Sequence, residues 1–219
     1  MKQLADDVHL LRGFPPNAIN VYLVGDVLVD AGTRRAGRRI LDQLRGRTVT
    51  LHALTHAHPD HQGASHEVCE KLGIQLWCGE LDADAVESGD VVDAGGGINS
   101  LIGRVWAGPP HPVARRLREG DEVAGFTVLD TPGHSPGHVS YWRESDRTLI
   151  CGDVLFGLNM LTGIPGLHEP PAQFTPDVPR NRESIRRVAA LEPRLVCFGH
   201  GPPLRDPAKL SAFVSTLGR

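Results

Sequence analysis

The stretch THAHPDHQG, Thr55 to Gly63, places three histidines and one aspartate within six positions, His56 to His61. It lies where a β-rich run, Thr48 to His56, stops and a helical pattern, Gly63 to Gly73, begins. In extended chain, residues two apart point to the same side, so His56 and His58 face one spot. Asp60 and His61 follow on the turn and can reach a second spot nearby. Imidazole nitrogen and carboxylate oxygen suit zinc, at about 2.0–2.2 Å. One short loop cannot close a shell around two ions, so a fold built on this stretch must bring further ligands to it.

Three residues qualify. His134 stands in TPGHSPGH, directly after the run Phe126 to Asp130. Asp153 stands in CGDVLF, at the end of the run Arg147 to Cys151, and His200 stands in FGHG after the last apolar run. The glycines around His200 leave its ring unobstructed. Each single residue is ordinary in a turn, but three of them following strands, beside a dense histidine loop, is a rare coincidence.

Hydropathy patterning surrounds these motifs with both kinds of element. NVYLVGDVLVDAG (Asn20 to Gly32) reads as a hairpin around Gly25-Asp26, Arg35 to Leu44 as a helix, and IQLWCG as a strand. Strand signals return at FTVLDTPG, HVSYWRE, RTLICGDVLF and RLVCFGHG, and Asn181 is the expected N-cap of a helix NRESIRRVAALEP. From Asp82 to Glu119 the signals blur, with the apolar stretch Ile98 to Trp106 set among glycines and prolines. That stretch would either cover a cleft or pack on a sheet edge. No repeat or linker interrupts residues 1–219, which predicts one domain of two mixed sheets with helices outside. Periodicity alone leaves α/β and α+β both open.

Charge and cysteine usage narrow the function classes. A formal net charge of -3 argues against binding nucleic acid through a basic surface. The arginine groups at Arg34 to Arg39 and Arg115 to Arg118 read as solvated helix faces. No run is long enough for a membrane span, and the start, MKQLADDVHLLRGFPP, carries acids where a leader needs apolar residues. Cys69, Cys78, Cys151 and Cys197 form no CxxC pair, as expected of buried thiols in a reducing cytoplasm, and none has a paired base in sequence.

The set HxHxDH (His56, His58, Asp60, His61), TPGHSPGH (His134), GD (Asp153) and GHG (His200) resembles the metallo-β-lactamase superfamily of metal-dependent hydrolases, over nearly the whole chain. The resemblance implies a four-layer αββα sandwich with a dinuclear site at one sheet edge. It assigns His56, His58 and His134 to one metal and Asp60, His61 and His200 to the other, with Asp153 bridging. The implied cofactors are two divalent ions, zinc first, with iron and manganese as alternatives. The implied chemistry is attack by a metal-bridging hydroxide on a carbonyl, with Asp60 passing a proton to the leaving group.

Aspartate at position 153, where the most familiar β-lactamase subclass has cysteine, resembles the glyoxalase II and lactonase branches instead. The expected substrate is a small metabolite with an ester, thioester or lactone bond. A mononuclear-iron persulfide dioxygenase and a β-lactam-hydrolysing enzyme are the alternatives. Oligomeric state has no sequence signal. His138 is expected to support the site structurally rather than ligate. Asp30 is expected either to bond a ligand histidine or to cap its turn, and Thr55 to be a strand residue. His9, His52, His66, His111 and His168 show no partner pattern and read as surface or core histidines. Among these, His168 stands in a segment expected to border the cleft. Cys151 reads as a buried thiol.

Overall fold

The computed structural model describes residues 1–90, 103 and 105–218. Its layers follow from strands that are apolar on both faces. In β3 (Tyr22–Val24) and β4 (Val27–Val29), Tyr22, Val24, Val27 and Val29 enter one core while Leu23 and Leu28 enter another. In β9 (Phe126–Asp130), β10 (Val139–Arg143) and β11 (Thr148–Gly152), Phe126, Val128, Val139, Tyr141 and Ile150 enter the first core. Leu129, Trp142, Leu149 and Cys151 on the same strands enter a third. A sheet apolar on both faces has to be covered on both sides.

The shared core joins the two sheets. One has seven strands in the order β1 (Lys2–Ala5), β2 (Val8–Leu10), β3, β4, β5 (Leu51–Ala53), β6 (Gln75–Gly79), β7 (Val113–Leu117). The other runs β14 (Leu195–Phe198), β11, β10, β9, β8 (Glu122–Val123). Helices close the outer faces. Ile40 and Leu44 of α1 (Gly37–Leu44) and Val68 of α3 (Ser65–Leu72) pack on Leu23 and Leu28. Val86 of α4 (Ala83–Ser88) packs with Leu54 and Leu76. Ile185 and Val188 of α5 (Val178–Ala190) and Leu210 of α6 (Pro207–Val214) pack on Leu149 and Trp142. The result is the αββα sandwich.

Several local expectations are corrected. Arg115 and Arg116 lie not on a helix but on β7, at the edge of the seven-stranded sheet, where charge discourages further pairing. Arg115 stacks over Trp77 at 4.8 Å, Arg116 pairs with Asp84 and Glu87, and Arg118, just after the strand, pairs with Glu80. The residue capping α5 is Asp177, which accepts from Arg180 N–H at 2.9 Å, while Asn181 is buried inside the helix. The first residues form a hairpin, β1–β2, turning at Asp7 with φ +57°. The run Thr48 to His56 is a strand only over Leu51–Ala53. Most of Ile98 to Trp106 lies outside the described residues; Trp106 itself is partly exposed and its carbonyl accepts from Arg34 N–H.

Strand direction explains why the motifs meet. β9 and β11 are both antiparallel to β10, and β14 is parallel to β11, so all three end on one edge. β4 and β5 are parallel and likewise end together. Cross-sheet hydrogen bonds hold the two edges against each other: Tyr22 Oη donates to Phe198 O, Tyr141 Oη to Leu54 O, and Val139 N–H to Thr55 O.

His52 belongs to this framework rather than to the surface. Fully buried, it donates from Nδ1 to Leu28 O and accepts at Nε2 from Ser65 Oγ, which ties β5 to α3. Burial, outweighing the Leu28 bond, pushes its pKa down to about 4. The unfolded chain protonates this ring near pH 6.5 and the folded chain refuses, so stability is complete above 6.5 and falls as pH drops towards 4. That window amounts to about 3 kcal/mol. The unfolding free energy of the wild type, from denaturant titrations, should fall more steeply with pH than that of His52→Asn between these values, by up to about one proton.

Candidate metal centre

His56 and His58 leave β5 in extended chain. Pro59 then opens the single turn α2 (Pro59–Gln62), where its fixed φ suits the first helical position. Asp60 and His61 ride on that turn. His134 follows β9, Asp153 follows β11 and His200 follows β14. The structure brings all seven to one place. Donor atoms of His56, His58 and His134 lie within 4.8 Å of one another, as do those of Asp60, His61 and His200. Asp153 stands between the trios: its Oδ2 is 3.1 Å from His200 Nε2, 3.3 Å from His61 and His134 Nε2, and 3.9 Å from His56 Nε2. Asp60 Oδ2 is 3.3 Å from His200 Nε2.

Four rings have their Nδ1 occupied by an acceptor, which leaves Nε2 facing inward. His61 Nδ1 donates to Asp30 Oδ2 at 2.9 Å, and His200 Nδ1 donates to Ala18 O. Thr55 Oγ1 donates its proton to the Asp30 carboxylate, so its lone pair accepts from His56 Nδ1 at 3.0 Å. Thr175 Oγ1 donates to Pro171 O and accepts from His134 Nδ1 in the same way. Such partners set the tautomer and orientation of ligand histidines. His138 is wired in reverse. Its Nε2 accepts from Asp153 N–H at 3.0 Å and its Nδ1 bonds Thr131 Oγ1, so it holds the Asp153 turn and has no nitrogen left for an ion.

The donor set fits divalent cations. His56 Nε2, His134 Nε2 and Asp153 Oδ1 are buried without a hydrogen-bond partner among the described residues, which costs about 1–3 kcal/mol each unless something else binds them. His61 and His200 Nε2 stand 3.4 Å apart, close to the spacing of two nitrogens about 2.0–2.1 Å from one tetrahedral ion. The charges agree. Burial, then the neighbouring histidines, hold His56 well below its ordinary pKa and His58 down to about 3, so both rings are neutral. Burial also acts on His61 and His200, but Asp153 and Asp60 outweigh it and raise His200 to about 10. An entering cation must displace those protons, so binding weakens in acid.

Supporting residues that sequence reading left out are mostly bound to backbone. Asp82 is buried and accepts from Ala57 N–H, Gly137 N–H and Ser135 Oγ, bracing the His56–His58 stretch against the His134 turn. Asn181 Nδ2 donates to Val154 O beside Asp153. Gly199 is a matter of room: a Cβ there would stand 1.9 Å from Asp153 Oδ1 and 2.6 Å from His61 Cε1. The glycine clears space for the carboxylate more than for the His200 ring. Phe156 of the hairpin β12 (Phe156–Leu158)–β13 (Pro165–His168) lies 4.6 Å from His200, and His168 pairs opposite it, so this hairpin borders the cleft. The four cysteines are buried and free. Burial pushes Cys69 and Cys197 up to about 12 and the other two higher than usual, so none is a ready nucleophile.

Asp30 offers a direct test of this wiring. It sits at φ +60°, which asparagine tolerates, and Asp30→Asn can still accept from Thr55 N–H. Its amide would then face the His61 Nδ1 proton and push that ring towards the other tautomer, with Nε2 capped. Zinc affinity, measured by competition with a chelating dye, should fall about 10–100-fold with the fold retained. Unchanged affinity would show that Asp30 does not orient His61.

Known proteins share this arrangement of elements. The chain is 29% identical to "Probable metallo-hydrolase YflN" of Bacillus subtilis (strain 168), across 89% of this chain and 84% of that one. It is 26% identical to a hydroxyacylglutathione hydrolase of Bdellovibrio bacteriovorus, across 78% of this chain and 60% of the relative. Among solved structures, a metallo-beta-lactamase family protein from Thermus thermophilus superposes with a TM-score of 0.72 at 28% identity, covering 97% of this chain and 80% of that one. A second, solved in a di-iron-bound form, gives 0.65 at 33% identity, covering 87% and 91%. Residues 14–200 match the family model described as the metallo-beta-lactamase superfamily, and the chain therefore belongs to that superfamily of metal-dependent hydrolases.

Proposed function

We propose that the chain, as one domain over residues 1–219, hydrolyses an ester, thioester or lactone bond of a small metabolite at a centre of two divalent metal ions, zinc first among them. The observation that carries this reading is the convergence of two separate ligand trios on Asp153 Oδ2. His56, His58 and His134 would hold one ion, Asp60, His61 and His200 the other, and Asp153 both. When bound, such a pair supplies Lewis acidity and lowers the pKa of water from 15.7 to about 7. A relative solved in a di-iron-bound form supports the pair and keeps iron as an alternative metal.

The protein residues supply position and proton transfer. Burial raises Asp60, but His61 and His200 outweigh it and keep its carboxyl well below the usual carboxylate range, so it begins ionised. With its side chain 16% exposed, Asp60 Oδ2 can meet a substrate, take a proton as attack proceeds and return it to the leaving group. What surrounds the site supports this substrate class. The loop carrying Phe14, 87% exposed, abuts His200 through Ala18 O, and the tip of the β12–β13 hairpin exposes Met160, Leu161 and Ile164. Exposed apolar side chains near the cleft would favour an acyl chain. A phosphodiester would call for cations, whereas Arg115, Arg116 and Arg118, on β7 and just after it, are tied to Asp121, Asp84 and Glu80. The hydroxyacylglutathione hydrolase relative supports a thioester. Buried free thiols support a cytoplasmic setting, and no helix among the described residues is long and apolar enough to cross a membrane.

The test is a panel of acyl thioesters, aryl esters, acyl homoserine lactones, β-lactams and bis-nitrophenyl phosphate, each with zinc and with chelator. Chelator-sensitive turnover of the carbonyl substrates is expected. Turnover confined to the β-lactam or the phosphodiester, or oxygen uptake with glutathione persulfide, would overturn the proposal.

A further inference from the structure

Two of the histidines without a sequence partner face each other apart from the ligand trios. His66 and Glu70 are four apart on α3 and share one face of the helix. His111 comes from the segment entering β7, anchored by its own N–H to Val86 O and by Val113 N–H to Glu87 Oε1. The two imidazole Nδ1 atoms stand 3.3 Å apart, with the rings edge to face at 5.4 Å. One donor atom from each of His66, Glu70 and His111 lies within 4.8 Å of the others. None of the three belongs to the trios around Asp153.

From this geometry we propose that His66, Glu70 and His111 form a separate site for a divalent transition-metal ion of the zinc class, which clips α3 to the segment leading into β7. Two nitrogens about 2.0–2.1 Å from one tetrahedral ion lie about 3.3 Å apart, the separation found here. Without an ion, one Nδ1–H···Nδ1 bond can span the same distance. Two imidazoles and one carboxylate make a zinc-type donor set, with a fourth position open to water. His111 is 9% exposed, and burial followed by the facing His66 lowers its pKa, so the ring is neutral, the form that ligates. Glu70 is exposed, with a carboxylate oxygen within 4.8 Å of a ring nitrogen of each histidine. The clip acts beside the cleft: α3 follows the turn carrying Asp60 and His61, and its Ser65 bonds His52.

The site stands independently of the proposed hydrolysis and is tested without it. Equilibrium dialysis against zinc should show the double variant His66→Ala/His111→Ala saturating one equivalent below the wild type. The remaining equivalents should bind as tightly as in the wild type, since the cleft trios are untouched. Glu70→Gln, a surface change that leaves packing alone, should weaken that same equivalent about tenfold or more. Cobalt(II) titrated into the wild type should add one increment of visible absorption that the double variant lacks, over the shared contribution of the cleft trios. Equal stoichiometry in wild type and double variant would overturn the proposal. So would unaltered zinc binding in a folded Glu70→Gln chain.

Discussion

Asp153→Ala is expected to lose at least one equivalent of metal from the cleft and to lower kcat by more than about 10²-fold. Removing a hydrogen-bonded neighbour of a ligand typically costs about 10–100-fold in affinity or activity. Asp153 is more central than any such neighbour: its Oδ2 is the atom on which His56, His61, His134 and His200 converge. Its removal would also take away the carboxylate that leads in raising His61 and His200. The fold should survive, because the sheet and helix cores draw nothing from this side chain. Elemental analysis and steady-state kinetics on the same preparation measure both losses. A variant with full metal content and near-normal kcat would remove Asp153 from the centre.

Asp60→Asn should separate binding from chemistry. Asparagine would keep an oxygen for an ion but could not take up the proton that the proposal assigns to the carboxylate. Acid–base contributions of this kind are worth about 10²–10⁴-fold, so kcat should fall within that range. Metal content should fall less than in Asp153→Ala, because the second trio keeps His61 and His200. Near-normal turnover at full metal occupancy would show that Asp60 only ligates.

How far the chain can be read without coordinates depends on who the partners are. The convergence of the seven cleft residues is legible because the motifs set imidazoles and carboxylates at strand ends, and those ends meet. Asp30 is half legible: one acceptor for one histidine is an old pattern, but capping explains the same residue equally well until His61 Nδ1 is seen 2.9 Å away. Asp82 is illegible, since two of its three partners are backbone N–H groups that no residue type announces. Ala18 orients His200 through a carbonyl, for which any residue would serve.

The fold shows the same divide. Two-sided apolar strands such as β10 and β11 are plain in the sequence. Arginines on β7 imitate a solvated helix because an edge strand also tolerates charge on its open side. The pairing of His66 with His111 depends on β7 lying beside β6 and α4 reaching back to it, contacts too distant in sequence to leave a spacing pattern.

Anomalous diffraction from zinc-grown crystals tests the central claim most directly. Two peaks should appear in the cleft, about 3.5–4 Å apart. One should lie against His56, His58 and His134, the other against Asp60, His61 and His200, with Asp153 between them. A single cleft peak, at either trio, that excess zinc does not convert into two would contradict the dinuclear account.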